Sequence, residues 1–276
     1  MLVNAIIEYL FVYNALSLTI KNVSNDNFDT QIDLPVRNEL KTVANAFNEM
    51  TLNLKTTIIT KDNIQEQLKD ALHENKIGYF ETIRALSNAI DAKDTYTYGH
   101  CDRVMEMSIL LGEYLNLNEA SLEVLKYASI LHDIGKIGIN DAILNKKDKY
   151  TFDEYIIMKD HPLIGYNIIN DVGFLEKTKE IILSHHERID GQGYPRNLKG
   201  NEIPFLARII SITDAFDAMT SKRIYKQRAM TVKEAFNEMK ANRNSQFDGY
   251  LVDSFIQAYV KKFGTKIDTT AGFIEN

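Results

Sequence analysis

Only one of the chain's 13 glycines, Gly78, and one of its four prolines, Pro35, fall within the first 98 residues. Both residue types interrupt helices, so their scarcity commits that third of the chain to long helix and leaves functional loops to the remainder. The single break expected there is VSNDNFDTQIDLPVRNE, residues 23–39, whose Asn and Asp favour a connector over a helix interior.

Past this break, Leu40, Val43, Phe47, Met50 and Leu54 are spaced 3, 4, 3, 4, which is a heptad seam. In the same register follow Thr57, Lys61, Ile64, Leu68 and Ala71, so the seam weakens and then recovers. We read it as the contact line of a parallel homodimer; an amphipathic helix packed within one chain is the alternative. The segment from Asn14 to Leu54 resembles a HAMP signalling module, with helix, connector and helix, and DLPVRNELKTVANAFNEMTLNL carries the characteristic AFNEM. Arg37 and Asn38 stand where that module usually has an acidic residue. The resemblance implies conformational change passed between helices of a dimer, with residues 55–80 as a coiled-coil signalling stalk after a module spanning 1–54.

The opening stretch, MLVNAIIEYLFVYNALSLTI, is interrupted by Asn4, Glu8 and Asn14 and falls short of the roughly 18 uninterrupted apolar residues that a membrane span needs. It lacks a basic n-region and a small-residue cleavage site. It reads as a helix, with the stump of a membrane anchor or attachment to an upstream sensor as the reading left open. One cysteine, Cys101, excludes an intrachain disulfide and a Cys-rich zinc module, and fits a reducing, cytoplasmic compartment. A net charge of −6 argues against binding polymeric nucleic acid, while a local basic cluster can still hold a small anion.

From about residue 80 the apolar spacing is again helical: Phe80, Ile83, Leu86 and Ile90; Val104, Met107, Leu110 and Leu111; Leu122, Leu125, Ile130 and Leu131. No alternating run bounded by turn signals reads as a strand, so the expected fold is all-α.

Five of the six histidines fall between His100 and His186, in motifs that each also carry a carboxylate or a glycine: YGHCDRV, LHDIGKIGI, DHPLIG and SHHERIDGQGYP, followed by ITDAFDAMT with Asp214 and Asp217. Imidazole nitrogen with carboxylate oxygen suits divalent iron, manganese, zinc or nickel. Neighbouring side chains on a helix point about 100° apart, so His132 and Asp133 serve one centre only if the metal lies close against the helix. Asp133, with two oxygens, can bridge two ions. His73, in ALHENK, reads as a solvated helix residue.

These motifs, with HDIGK, HHERIDGQGYP and DAFDAMTSKRIYK together, resemble the HD-GYP family of the HD phosphohydrolase superfamily over about residues 80–265. The resemblance implies an all-helical domain over 81–276, binuclear in iron or manganese, that hydrolyses cyclic di-GMP to pGpG, GMP or both. It implies His132, Asp133, His161, His185, His186 and Asp214 as metal ligands, with His100 as an additional one. Some members hold a third ion with a glutamate four residues before the first histidine; Tyr96 stands there, so two divalent ions are expected. The family often has Trp at Ile189, Pro at Ile224 and Pro at Gly249, departures that bear on substrate detail rather than on ligands.

A phosphodiester resists hydrolysis because its anionic oxygens repel hydroxide and its leaving group is poor, and a pair of cations answers both difficulties. Asp133 is thus expected to be catalytic through the metals, and Lys136, one helical turn after His132, to reach phosphate oxygens or else serve as a helix C-terminal charge. Gly193 in GQGYP allows backbone to approach a ligand, and Tyr194 offers a ring for guanine or a hydroxyl for phosphate. Arg188 reads as a substrate contact or a partner of Glu187, and Asp217, three residues after Asp214, as a support or substrate contact. The resemblance adds Arg223 and Lys226 as holders of the dinucleotide. Cys101 reads as packing, with redox sensitivity the other option. Hydrolysis of a different cyclic dinucleotide, or a noncatalytic dimeric signalling module, are the competing readings.

Overall fold

The computed structural model describes residues 2–25, 27–33, 39–94, 99–221 and 228–264, without the side chains of 2–5, 8 and 39. Among the described residues there is no strand; a lone bridge joins Arg243 to Phe247. The chain divides into two compact units, Met1–Ile77 and Gly78–Asn276.

In the first unit, α1 (Leu2–Ser24) and the opening part of α2 (Glu39–Lys93) flank the Asn/Asp-rich connector. A small core of Val12, Ile32 and Ala44 forms there, with Leu16, Leu40 and Phe47 against it. The Asn48 side chain holds the connector: its Oδ1 accepts from the Ile32 N–H at 2.8 Å and its Nδ2 donates to the Ile32 carbonyl at 3.0 Å. That residue is the Asn of AFNEM, so the motif has a physical job in the turn. Of the seam, Val43, Met50, Leu54, Ile64 and Leu68 stand exposed. No described helix is long and apolar enough to cross a membrane.

In the second unit, the end of α2 leads to α3 (His100–Tyr114) and α4 (Glu119–Leu131), joined by a short turn in which the Asn118 side chain accepts from the Ser121 N–H. There follow α5 (Asp141–Leu144), α6 (Phe152–Met158), α7 (His161–Ile169), α8 (Glu176–Ser184), α9 (Phe205–Thr220), α10 (Val232–Ala241) and α11 (Gly249–Phe263). Two cores form. The larger joins α3, α9, α10 and α11 around Phe216, whose ring stacks on Phe236 at 5.7 Å and meets Phe255 edge-on at 5.0 Å. The smaller gathers Ile83, Ile90, Ile130, Leu131 and Ile182 between α2, α4 and α8. Each fully buried aliphatic contributes about 1.5–3 kcal/mol, so these clusters are what hold the helix ends near one another. Leu86, expected on the buried face of α2, is exposed; the buried positions of that turn are Ile83, Ser87 and Ile90, with the Ser87 hydroxyl donating to the Ile130 carbonyl at 2.6 Å.

Candidate metal centre

The histidines converge because most of them sit at helix ends. His100 opens α3, His132 caps the C-terminus of α4, His161 opens α7, and His185 caps the C-terminus of α8 with His186 beyond it; Asp214 projects from within α9. The expectation that His132 and Asp133 share one helix is corrected. α4 ends at Leu131, and at Asp133 (φ −97°, ψ 6°) the chain turns into the 3₁₀ segment Ile134–Gly138. This change of helix type, rather than proximity of a metal to an α-helix, lets neighbouring side chains face one centre.

Two groups of donors result, Asp133 with His161, His185 and His186, and His100 with His132 and Asp214. Asp133 lies between them: its Oδ1 is 3.3 Å from His161 Nε2, and its Oδ2 is 3.4 Å from His132 Nε2 and 3.8 Å from His100 Nε2. His161 and His185 bring their Nε2 atoms within 3.3 Å, and His100 Nε2 lies 3.3 Å from Asp214 Oδ1. Bare imidazole nitrogens so close together repel unless a cation or proton lies among them.

The ring orientations are fixed from behind. Nδ1 of His132, His161 and His185 each meets a backbone carbonyl three residues back, of Ser129, Met158 and Ile182, at 2.7, 2.8 and 2.6 Å. A carbonyl only accepts, so each Nδ1 carries the proton and each Nε2 presents a lone pair inward, as metal ligation requires. His100 Nδ1 is held instead by Asp217 Oδ2 at 2.7 Å. The buried Nε2 of His132 has no hydrogen-bond partner among the described residues. An orphaned lone pair in a wholly buried ring is costly unless a cation meets it. The donor set, lone-pair direction and orphaned nitrogen fit a divalent metal.

The electrostatics agree. Burial alone raises Asp133 and Asp214, but their neighbours overcome it: the Lys136 cation and the His132 and His161 rings hold Asp133 well below the usual carboxylate range, and His100 does the same for Asp214. Burial and neighbouring imidazoles push His185 well down and His186 down to about 3, so both stay neutral and keep a lone pair to offer. His100 is opposed by burial yet driven up to about 9 by Asp214 and Asp217, so without metal a proton takes the place a cation would fill.

The other expected site residues fall differently. Lys136 is paired with Asp133 at 2.7 Å and Asp94 at 3.1 Å, raised despite burial by those two carboxylates, and it borders the cavity of about 340 Å³ that also contains Asp133, His161, Tyr194 and Asp214. Asp217 is not among the residues lining that cavity: it accepts from Arg103 Nε at 2.6 Å as well as holding His100, so it positions that ring. Arg188 pairs with Asp190 at 2.7 Å, not with Glu187. A Cβ at Gly193 would lie 2.4 Å from the Arg188 nitrogen, so that glycine answers a close approach of the chain to itself rather than to a ligand. The Tyr194 ring lies 4.8 Å from that of His186. Arg223, Lys226, Tyr96 and Ile224 lie outside the described residues. His73 is exposed on α2, and Cys101 is buried with its thiol pushed well up by that burial, as packing demands.

Three contributors went unread in the sequence. Arg103 supports Asp217, Asp94 supports Lys136, and the buried Glu187 carboxylate accepts the backbone N–H groups of Arg196 at 2.7 Å and Leu198 at 3.0 Å, pinning the loop that carries Tyr194. The adjacency of Glu187 to the histidine pair was the one available signal.

An HD domain family model matches residues 84–251 and a HAMP domain model residues 14–56. The chain is 37% identical to the cyclic di-GMP phosphodiesterase response regulator RpfG of Xanthomonas campestris, over 71% of this chain and 52% of that protein. It is 38% identical to a cyclic di-GMP phosphodiesterase of Thermotoga maritima, over 64% of this chain and 49% of that protein. It is 36% identical to the 3'3'-cGAMP-specific phosphodiesterase 2 of Vibrio cholerae, over 64% of this chain and 34% of that protein. It thus spans about half or less of the length of these relatives. A solved cyclic GMP-AMP specific phosphodiesterase of Vibrio cholerae superposes with a TM-score of 0.51 at 24% identity, covering 64% of this chain and 48% of that one, which establishes likeness of fold. With its helical architecture, its converging histidines and aspartates, and a family match over more than half its length, the chain belongs to the HD domain family.

Proposed function

We propose that this chain is a metal-dependent phosphodiesterase that hydrolyses cyclic di-GMP to pGpG, GMP or both. The observation that carries the reading is the place of Asp133, with one oxygen toward each of two donor groups, 3.3 Å from His161 and 3.4 Å from His132. Asp133, His161, His185 and His186 would hold one divalent ion, and His100, His132 and Asp214 a second, with Asp133 shared. Nitrogen-rich sites with hard oxygens suit iron or manganese. Such ions, when bound, lower the pKa of water and neutralise charge on phosphoryl oxygens.

The chain's own groups do the rest. The carbonyls behind His132, His161 and His185 keep the inward nitrogens unprotonated. Lys136 fixes Asp133 and, as a cation at the edge of the cavity, can donate to a phosphate oxygen. Tyr194 supplies a ring beside His186 on which a base can stack. Arg188, held by Asp190 and donating also to Gln246 at 3.3 Å, borders an adjoining cavity of about 320 Å³ as a cation.

A hybrid substrate, cyclic GMP-AMP, is the second reading, favoured by the similarity to a 3'3'-cGAMP-specific enzyme. The exposed Val43, Met50, Leu54, Ile64 and Leu68 support a homodimer through α2, which is one continuous helix from Glu39 to Lys93 and would carry a signal from the N-terminal helices. The lone buried cysteine suits a cytoplasmic setting, with attachment at the inner face of a membrane through the N-terminus as the accompanying proposal. The test is turnover of protein loaded with iron or manganese, given cyclic di-GMP and cyclic GMP-AMP in parallel. Linear dinucleotide or GMP is expected, and Asp133→Ala should abolish it; no product from either substrate refutes the reading.

A further inference from the structure

Beside the metal centre lies a second cavity, of about 410 Å³, that shares His186 and Asp214 with it and extends along α9 to α10. Its size is that of a small-ligand pocket. Its apolar lining comes from Ala215, Met219, Met230 and Phe247, flat or pliable surfaces suited to the faces of an aromatic ring. The polar groups toward the end of α10 are Glu238 and Asn242, the residue that caps its C-terminus one turn later. Asn242 Nδ2 donates to Glu238 Oε1 at 3.0 Å and to the Glu238 carbonyl at 2.9 Å, which orients the carboxylate. α10 is itself anchored by the Thr231/Glu234 capping box and by the buried Val232, Phe236 and Met239.

We propose that this cavity receives one base of the substrate and that Glu238 selects guanine there by accepting its N1–H and 2-amino hydrogens. The inference rests on the cyclic dinucleotide reading above. A carboxylate is an acceptor only, with two lone pairs on each oxygen, so Oε1 can keep Asn242 while both oxygens receive donors. Guanine presents two adjacent donors on its Watson–Crick edge. Adenine presents the N1 lone pair at the same place and would face the carboxylate oxygen with like charge. The adjoining cavity of about 320 Å³ offers the opposite chemistry, with Lys159 and Arg188 as donors suited to phosphate or carbonyl oxygens. The acceptors that the guanine N–H edge needs are supplied at Glu238.

The experiment measures kcat/KM for cyclic di-GMP and for its cyclic diinosine analogue, which lacks only the two exocyclic amino groups, in the metal-loaded full chain and in Glu238→Ala and Glu238→Gln. A hydrogen bond to a charged group is worth about a tenfold to a hundredfold preference, so the wild-type chain should favour cyclic di-GMP by that factor and both variants should lose most of it. The ratio is taken within one preparation, so a variant that folds incompletely still reports it. Equal turnover of the two substrates by the wild type, or the same preference in wild type and variants, overturns the role of Glu238 and leaves the phosphodiesterase reading standing. Turnover of neither substrate by the metal-loaded wild type removes both.

Discussion

Gly135 is where the structure leaves least room, and Gly135→Ala is the sharpest test of how the centre is built. A Cβ at residue 135 would stand 1.9 Å from the His161 carbonyl oxygen and 2.5 Å from the Gly165 nitrogen. Real Cβ atoms essentially never come closer than 3.0 Å to such a neighbour, so the 3₁₀ segment and α7 must separate by at least the difference, 3.0 − 1.9 = 1.1 Å. The obstructing atoms are backbone, which has no rotamer by which to escape. His161 opens α7 and Asp133 immediately precedes the 3₁₀ segment, so the separation falls on the pair that now stands 3.3 Å apart. Overpacking of this kind costs about 1–3 kcal/mol of stability. For a unit of this size that lowers the melting midpoint by about 2–4 °C per kcal/mol. A misplacement of about 1 Å at reacting groups costs about a hundredfold in rate. The variant should therefore purify with less metal per chain and turn over substrate about a hundredfold more slowly. Gly173→Ala, where a Cβ meets nothing within 4 Å, should match the wild type in both respects. Metal content by elemental analysis, thermal melts and turnover make the comparison. A Gly135→Ala protein with wild-type metal content and a rate within twofold would refute the claim that this contact sets the spacing of the ligands.

Two further outcomes follow from the same geometry. Asp217→Asn removes the charge that orients His100 and neutralises Arg103, so metal affinity measured by chelator competition should fall about tenfold to a hundredfold; an unchanged affinity would mean His100 is not a ligand. In chelator-stripped protein, His185 and His186 stay neutral when folded but bind protons when unfolded, so their contribution is full above the ordinary histidine value of about 6.5 and is lost as pH falls below it, for His186 down toward about 3; His100, raised to about 9, contributes fully below 6.5 and loses its contribution as pH rises through 9. The melting midpoint of stripped protein should thus peak near pH 6.5 and decline on both sides, and a midpoint still climbing from pH 7 to 9 would contradict the assignment for His100.

The helical class and the break between the first two helices were legible because glycine, proline and apolar spacing act within a few residues of chain. The cluster of histidines and aspartates that the structure brings together was legible for a different reason: these residue types recur in short motifs and point to one kind of chemistry directly. The local path at the centre was not. Whether α4 continues through His132 or yields to a 3₁₀ turn depends on Gly135 meeting α7, a contact between segments about 26 residues apart that no local periodicity reports. Arg103 with Asp217 and Asp94 with Lys136 are ion pairs 114 and 42 residues apart in sequence, each between residue types common on any surface.

That division has a physical basis that bears on the centre itself. A ligand's identity is fixed by what it must bind, so it leaves a mark on composition, whereas the group behind it needs only to accept or donate one hydrogen bond, and many atoms can do so. For His132, His161 and His185 the support is a backbone carbonyl, which every residue possesses and no sequence displays. For His100, which opens α3, the support is a side chain, the Asp217 carboxylate. Helix C-termini present unpaired carbonyls and helix N-termini do not. The three supporting carbonyls lie in the last turns of α4, α6 and α8, so a histidine that follows a helix end, as His161 follows α6 while opening α7, finds a partner the sequence does not display.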